Sequence, residues 1–207
     1  MQTAVLGLNL FCRKHRNRRN VLYHRLLTAL RSIDNMIKDI RRQIMKVSIL
    51  MGSYSDREIA FDVIKSLKEL GVAYDCVVYS AHRTPNEVVE YVKEQEKNGT
   101  EVFISIAGKA AHLGGVVAAH TTRPVIGVPG KTSVAGGMDS LLSTVQMPSG
   151  VPVATVAING GKNAGILAAQ ILSVADSDLK KRLDDYKLKL QSEVEEMNRK
   201  LEEDLRG

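Results

Sequence analysis

The sequence predicts an α/β fold in which a parallel β-sheet lies between layers of helices. The first observation is the order of patterns, because from Val47 onwards short apolar runs alternate with stretches of helical periodicity. The second observation is composition: hydrophobic residues make up 44% of the 207 residues, but aromatic residues only 4%, and there is no Trp. A core built from Val, Ile, Leu and Ala suits strands that helices cover on both faces.

Five strands and five helices alternate along the predicted domain, and this order requires right-handed crossover connections. In the first helix, Ile59, Val63 and Leu67 recur on one face, which predicts packing on the sheet. The fifth helix is apolar nearly all round, which predicts burial against more than one neighbour. The predicted strands are 47–51, 73–79, 101–107, 124–128 and 152–158, and the predicted helices are 56–70, 85–98, 110–120, 138–146 and 162–173.

A long amphipathic helix is predicted at the C-terminus, over residues 176–205. Its apolar residues recur at spacings of three and four among many charges. A helix of this length extends about 45 Å, which exceeds the width of a domain of this size. We therefore expect residues 174–207 to pack against another subunit rather than only against their own domain, and residues 45–173 to form the catalytic domain.

The first 44 residues differ from the rest in charge and pattern. They contain ten Lys and Arg residues and two Asp residues, which gives them a net charge of +8. Because the whole chain has a net charge of +6, the remaining residues have a net charge of −2. Three interpretations of this basic extension compete: upstream sequence before a true start at Met45, an organelle-targeting presequence, or a basic arm that binds a partner. We favour the first, because the first polar loop follows Met45 closely.

Composition also bears on partners and compartment. Because the predicted domain is nearly neutral, a nucleic-acid-binding surface is not expected on it. Cys12 and Cys76 form no C-x-x-C pair, which favours a reducing compartment such as the cytoplasm. No apolar stretch approaches the roughly 18 to 20 residues that span a bilayer, and the first residues lack the charge order of a secretory signal, so we expect no membrane association.

Polar residues cluster directly after three predicted strands. Gly52-Ser53-Tyr54-Ser55-Asp56 follows the first, Ser80-Ala81-His82-Arg83-Thr84-Pro85 the second, and Gly108-Lys109-Ala110-Ala111-His112-Leu113 the third. In an open parallel sheet, ligands bind beyond the carboxyl ends of the strands. Free N–H groups at helix starts attract anions there. The sequence therefore predicts a site for a small phosphate-bearing molecule.

Helix capping is the competing explanation for several of these residues. Ser55-x-x-Glu58 and Thr84-x-x-Glu87 both match the capping box, with Pro85 at the favoured first helical position. On this basis we interpret Thr84 as a cap, whereas Ser55 fits a cap and a ligand equally well. Asp56 either favours the positive helix end or binds ribose hydroxyls.

Arg83 and two histidines are the remaining candidates. A guanidinium offers the forked geometry that phosphate prefers, although a surface salt bridge is its simpler role. His82 and His112 lie at predicted strand ends, where an imidazole can transfer protons. Neither has the spacing of a metal ligand, so no zinc site is predicted. The sequence also lacks the glycine motifs of P-loop and dinucleotide-binding proteins.

Five segments together resemble the class I 5-(carboxyamino)imidazole ribonucleotide mutases of purine biosynthesis, over roughly residues 46–190. The segments are, in order, MGSYSD, SAHRTP, AGKAAHL, DSLLSTVQMPSGVPVATVAI and NAGILAAQIL. The resemblance implies a three-layer α/β/α domain with a flavodoxin-like sheet, assembled as a homo-octamer. It implies transfer of a carboxylate from the exocyclic amine of the ribonucleotide to ring carbon 4, without metal or organic cofactor. A separate ATP-dependent synthetase is expected to supply the substrate.

The resemblance also assigns roles to residues. His82 is the expected general acid and base. The 5′-phosphate is expected on four side chains, Ser53, Ser55, Ser80 and Arg83, and the ribose hydroxyls on Asp56. The base and CO2 are expected in a pocket lined by Gly108, Ala110, Ala111, His112 and Leu113.

Two positions depart from the family pattern, and two alternative functions stay open. Lys109 stands where the family usually has Gly, and Gly114 where it usually has Pro, so the shape of this loop is in question. The first alternative is direct carboxylation of aminoimidazole ribonucleotide by CO2, as in the class II enzymes. The second is a ribonucleotide-binding module without catalysis.

Overall fold

The computed structural model describes residues 26–33, residue 36 and residues 45–207. The chain divides into two units, residues 1–43 and residues 44–207. In the first unit, residues 26–33 are helical, and Leu26 and Leu30 are exposed. The interpretations of the rest of the basic extension lie outside the described residues, and Met45 as the true start stays a prediction.

Strands and helices alternate through the second unit, as the sequence predicts. A 3-10 turn, Tyr54–Asp56, lies between the first strand and the first helix. The strands are β1 (Lys46–Met51), β2 (Ala73–Val78), β3 (Thr100–Ala107), β4 (Val125–Pro129) and β5 (Ala154–Thr155). The helices are α1 (Arg57–Glu69), α2 (Pro85–Lys97), α3 (Leu113–Ala119), α4 (Met138–Val145), α5 (Gly161–Ser173) and α6 (Ser177–Arg206).

The five strands form one parallel sheet in the order β2-β1-β3-β4-β5. Ile49 of β1 lies between Cys76 of β2 and Ile104 of β3. This is the flavodoxin-like order, and it confirms the predicted fold class. The strand order reverses at β1, so the loops that follow β1, β2 and β3 meet at the carboxyl edge of the sheet, where ligands bind in such folds.

The sheet is buried on both faces, which gives the domain two hydrophobic layers. Val47 and Ile49 point to one face and pack with α1 and α5, whereas Leu50 and Phe103 point to the other and pack with α2 and α3. Alternation along each strand produces this division, because successive side chains point to opposite faces. The strands at the centre of this three-layer structure are mostly aliphatic, as the composition predicts, although Phe103 of β3 is a fully buried aromatic residue.

Helix α5 is buried against α1, the sheet and α6, as its uniform apolarity predicts. Two glycines permit its close approach to α1. A Cβ at Gly161 would lie 2.3 Å from the carbonyl oxygen of Ile59, and one at Gly165 would lie 2.3 Å from Ser66 Oγ. No larger residue fits at these positions without separating the two helices.

Two element boundaries differ from the prediction. The fifth strand is limited to Ala154–Thr155 instead of 152–158, because Pro152 has no N–H to donate and the chain turns at Asn159, where φ is 57°. The third helix begins at Leu113 rather than at residue 110. Residues 108–112 instead form a tight loop, in which the amide of Ala111 donates to the carbonyl of Lys109 and that of His112 to the carbonyl of Ala110.

Helix α6 buries apolar side chains on the domain in its first third, and just beyond it Lys189 forms an ion pair with Glu69 of α1. Asp176 caps it by accepting bonds from the amides of Asp178 and Leu179, and Leu179, Leu183 and Tyr186 are buried. Beyond them the apolar stripe is solvent-exposed, with Val194 at 56% and Leu201 at 56% of their full accessible areas. The long helix is thus confirmed, while its packing on another subunit stays a prediction.

Candidate active site

Loops from the carboxyl ends of four strands surround one cavity of about 570 Å³. These loops follow β1, β2, β3 and β4, so the strand order of the sheet brings together segments that are up to 80 residues apart in sequence. Of the predicted site residues, nine line this cavity: Ser53, Ser55, Asp56, Ser80, His82, Arg83, Gly108, Ala110 and Leu113.

The loop after β1 presents two hydroxyls and a carboxylate. Ser53 Oγ accepts bonds from the amide of Ser55, at 3.3 Å, and from its hydroxyl, at 3.0 Å. Ser53 thereby caps the 3-10 turn, and Asp56 is the N-cap residue of α1 without a side-chain capping bond. The capping-box interpretation of Ser55 is therefore wrong, because the inserted 3-10 turn moves the start of the helix past it.

The loop after β2 is closed by Thr84, but not in the predicted way. Thr84 Oγ1 accepts a bond from the amide of Ser80 at 2.9 Å and donates to its carbonyl at 3.2 Å, and it makes no bond to the helix. Thr84 is the N-cap residue of α2, as predicted, but its hydroxyl makes no capping bond and instead ties the loop to the loop's own first residue. Pro85 does occupy the first turn of α2, as predicted.

Arg83 bridges the first two loops. Its Nη2 donates to the carbonyl of Gly52 at 3.1 Å, and its backbone amide donates to Ser80 Oγ at 3.4 Å. Within residues 45–207 its guanidinium pairs with no carboxylate, so the salt bridge considered as its simpler role is not formed. One N–H of the guanidinium thus links the two loops of the cavity wall, and its other N–H groups are available to bind a ligand.

His82 and His112 are joined directly, although 30 residues separate them in sequence. His82 Nε2 lies 2.9 Å from His112 Nδ1, and the rings meet edge to face with centroids 5.0 Å apart. One nitrogen of the pair must donate and the other accept, so the contact holds one proton. His82 lines the main cavity, whereas His112 lines a neighbouring one on the other side of the contact.

The loop after β3 holds an unusual backbone conformation. Lys109 has φ of 55°, in the left-handed region that favours glycine. Its exposed side chain lines the cavity, between the predicted residues Gly108 and Ala110. Ala111 is buried beneath the loop and does not line the cavity, so it contributes to the site by supporting the loop.

Four polar cavity residues were missed by sequence reasoning as site residues: Lys109, Lys131, Thr132 and Ser133. Lys109 was noted only as a departure from the family pattern. The other three follow β4, which ends at Pro129, and they therefore occupy the same strand-end position as the loops that were recognised. The rule that located the first three loops applies equally to this fourth one.

The cavity has an excess of positive charge. Arg83, Lys109 and Lys131 line it, against the single carboxylate of Asp56. Burial raises the pKa of Asp56 above its usual value, and this is only partly offset by a hydrogen bond from the backbone amide of Ser53. This balance suits a ligand that has more than one negative charge.

The structure explains why Gly stands at position 114, where the family pattern has Pro. A Cβ at Gly114 would lie 2.7 Å from the side-chain oxygen of Ser105, which is buried on β3. Any larger residue, including the proline of the family pattern, requires Ser105 to shift. Gly114 and Ser105 therefore fit each other as a pair.

Within residues 26–33, 36 and 45–207, no cluster of His, Cys, Asp or Glu has the composition and geometry to hold a metal ion. In the same part of the chain, no helix combines the length and apolarity needed to cross a bilayer.

Comparison with known proteins identifies the family. The sequence profile described as AIR carboxylase matches residues 46–193, which include all four loops of the cavity. The chain belongs to the AIR carboxylase family. The match confirms the resemblance predicted from the sequence, and it extends from β1 to the middle of α6.

Individual members of the AIR carboxylase family show the same relation. The chain is 51% identical over 158 residues to the N5-carboxyaminoimidazole ribonucleotide mutase of Thermotoga maritima, covering 76% of this chain and 92% of that protein. It is 46% identical over 168 residues to the N5-carboxyaminoimidazole ribonucleotide mutase of Pyrococcus horikoshii, and the match covers 81% of this chain and 95% of that protein. The crystal structure of Treponema denticola PurE superposes with a TM-score of 0.70 at 33% identity, covering 76% of this chain and 98% of that one.

Proposed function

We propose that this AIR carboxylase family member is an isomerase of purine biosynthesis. It converts 5-carboxyaminoimidazole ribonucleotide into 4-carboxy-5-aminoimidazole ribonucleotide. The observation that supports this most is the single cavity in which His82 stands beside hydroxyls and cations suited to a ribonucleotide phosphate. The relatives named as mutases match this chain over nearly their full lengths.

The phosphate end of the substrate lies at the first two loops. Ser53, Ser55 and Ser80 offer hydroxyls there, and Arg83 offers a guanidinium without a carboxylate partner among the described residues. Asp56, beside them, accepts bonds from the ribose hydroxyls. Charge-assisted bonds to a phosphate are about twice as strong as neutral ones, which makes this end the anchor of the substrate.

The imidazole and the migrating carboxylate lie towards the third loop. Gly108 and Ala110 line the cavity, Leu113 closes its floor, and buried Ala111 supports the loop. His112 reaches this region through its contact with His82. The small side chains leave room for a flat heterocycle and for CO2 next to His82.

The reaction needs one proton donor and acceptor. His82 protonates the carbamate nitrogen, the N–C bond breaks, and CO2 is released within the cavity. Ring carbon 4, which is electron-rich because of the free amine, attacks CO2 and forms the new C–C bond. His82 then removes the proton from carbon 4, so that the residue returns to its starting state and no electrons are exchanged.

Retention of CO2 requires the cavity to be closed, and this favours assembly. In the single chain, His82 and Arg83 are exposed. Helix α4 beside the cavity exposes Met138, Leu142 and Val145 on one face, and the outer half of α6 exposes a second apolar stripe. We propose that other copies of the chain cover these surfaces, in the homo-octamer that the sequence suggested.

The chemistry of the substrate places the enzyme in a reaction sequence. A carbamate on an aromatic amine loses CO2 readily in water, so a preceding ATP-dependent carboxylation must supply it close by. We expect this synthetase to be the functional partner. A cytoplasmic location is consistent with Cys76, which forms no disulfide among the described residues.

Replacement of His82 by Asn tests the proposal. We expect His82→Asn to lower kcat with the carbamate substrate by roughly 10²-fold to 10⁴-fold, because a positioned acid–base group contributes about that much. His120→Asn is a matched control, since His120 is exposed, lies outside the main cavity and has its ring nitrogen bonded to the backbone carbonyl of Val116. Near wild-type turnover of His82→Asn would refute the assignment.

The same assay separates the two remaining functions. The wild-type protein is offered either the carbamate ribonucleotide or aminoimidazole ribonucleotide with low bicarbonate. A mutase turns over the first much faster than the second, and a direct carboxylase shows the reverse. Ribonucleotide binding without turnover of either substrate would identify a binding module.

A further inference from the structure

Two lysines from neighbouring loops line the same cavity. Lys109 follows Gly108 in the loop after β3, and Lys131 follows Gly130 in the loop after β4. The two glycines touch: a Cβ at Gly130 would lie 3.4 Å from both the Cα and the nitrogen of Gly108. The amide of Gly130 also donates to the carbonyl of Ala107 at 2.8 Å. The lysines are therefore held one residue beyond a fixed backbone contact.

Neither ammonium group has a partner that neutralises it. Within residues 45–207, Lys109 and Lys131 take part in no ion pair and no side-chain hydrogen bond. Lys131 is fixed through its backbone instead, where its amide donates to Asn159 Oδ1 at 2.7 Å. Two adjacent free cations repel each other, so their placement in one cavity is favourable only when an anion lies between them.

The backbone at Lys109 supports a role in binding. A side chain at φ of 55° strains the backbone in a way that glycine would avoid. The side chain makes no packing contact that offsets this cost, since it is exposed at the cavity wall. Strained residues of this kind concentrate at functional sites.

Arg83 and the two lysines come from strands on opposite sides of β1. Strands β2 and β3, which lead to Arg83 and Lys109, are two strand spacings apart, about 10 Å, and β4, which leads to Lys131, lies one spacing further from β2. A ribonucleotide whose phosphate binds Arg83 on the β2 side can therefore direct its base towards the lysines on the β3–β4 side. We infer that Lys109 and Lys131 form a second anion subsite, which binds the carboxylate of the carboxylated ribonucleotide.

This inference rests on the proposed function and makes it more specific. The subsite distinguishes ribonucleotides with a carboxylate on the base from the same ribonucleotide without it. It also keeps the carboxylate near His82 before the N–C bond breaks and after the new C–C bond forms. Arg83, by contrast, binds both kinds of ribonucleotide through their common phosphate.

Calorimetric titration with two ligands tests the subsite. The ligands are 4-carboxy-5-aminoimidazole ribonucleotide and 5-aminoimidazole ribonucleotide, which differ only in the carboxylate. We expect Lys109→Met and Lys131→Met each to weaken binding of the first by roughly tenfold or more, as for loss of a charge-assisted bond. Binding of the second should change by less than about twofold. Lys131→Arg, which keeps the charge, should retain most of the affinity for the first.

Controls separate this role from a structural one. Lys93→Met removes an exposed lysine on α2, outside the cavity, and should leave both affinities unchanged. Lys109→Gly relieves the backbone strain, so it should raise the unfolding temperature while it weakens binding of the carboxylated ligand. A purely structural lysine would not produce these opposite changes.

Two results would overturn the inference while the mutase assignment stands. One is an equal loss of affinity for both ligands in the lysine variants, which would indicate general attraction of the phosphate. The other is an unchanged affinity for both. A wild-type protein that binds neither ribonucleotide would instead refute the proposed function itself, and the subsite with it.

Discussion

His82 Nε2 and His112 Nδ1 lie 2.9 Å apart, in an edge-to-face contact that links the loops after β2 and β3. The contact fixes the imidazole of His82 at the cavity wall, because one of its two nitrogens is held and the ring cannot rotate freely. We propose that His112 acts on the reaction through His82, by orienting its ring.

We predict that removal of the His112 side chain slows the reaction without abolishing it. His112→Ala should lower kcat roughly fivefold, as expected for loss of one neutral hydrogen bond of about 1 kcal/mol. His112→Asn places a polar atom near the former Nδ1 position and should recover much of the rate. The measurement is kcat and KM with the carbamate substrate over a range of pH. Equal losses in both variants would contradict an orienting hydrogen bond.

We predict that Asp56→Asn stabilises the protein at neutral pH. Burial raises the pKa of this carboxyl, so its ionised form is less favourable in the folded chain than in the unfolded one. This destabilisation is present above the folded pKa and absent below the unfolded value of about 3.9. The unfolding temperature of Asp56→Asn should therefore exceed that of the wild type at pH 7.

The stability gain of Asp56→Asn should disappear as the pH is lowered towards 3. At pH 7 the same variant should bind the ribonucleotide more weakly than the wild type does, because the carboxylate that accepts bonds from the ribose hydroxyls is lost. Asp62→Asn removes an exposed carboxylate of the same helix outside the cavity, and as the control it should leave ribonucleotide binding unchanged. A gain of equal size at both pH values would indicate a cause other than ionisation.

We predict that Gly114→Ala destabilises the domain, although alanine is the better helix former. The new Cβ would lie 2.7 Å from Ser105 Oγ, and such overpacking costs about 1 to 3 kcal/mol. In the double variant with Ser105→Ala the clash is removed, so stability should recover. Urea unfolding at one fixed protein concentration measures all four members of this cycle.

The neighbouring glycine provides the control for that cycle. A Cβ at Gly115 would lie 3.2 Å from the flexible end of the Met147 side chain, which can move away. Gly115→Ala should therefore be neutral or slightly stabilising. If both alanine variants behaved alike, helix propensity and not the contact with Ser105 would govern this helix.

We predict that charges on the outer stripe of α6 reduce the assembly. Val194→Glu combined with Leu201→Glu places two carboxylates on the exposed apolar face, and the particle mass measured by light scattering should fall. Ser192→Glu with Arg199→Gln changes the net charge by the same amount on the opposite face of the helix and should leave the mass unchanged. An unaltered mass in the first variant would show that this stripe does not contact another copy.

Local patterns in the sequence account for most of the elements and for three of the four cavity loops. The apolar face of α1, the burial of α5 and the extent of α6 were predicted correctly, because periodicity reflects which side of an element is covered. Thr84 shows where such reasoning is incomplete. It is the N-cap residue that its sequence context predicts, yet its hydroxyl bonds to Ser80 rather than to the helix, since loop closure competes with capping for the same group.

The α/β class, the family and most of the residue types of the cavity follow from the sequence alone. Which of these residues contact one another depends on the tertiary structure. The contact of His82 with His112 and that of Gly108 with Gly130 depend on strand order and loop backbone geometry. Neither has a local signal, because hydrogen bonds between parallel strands join segments that are distant along the chain. The same nonlocal packing pairs Gly114 with Ser105.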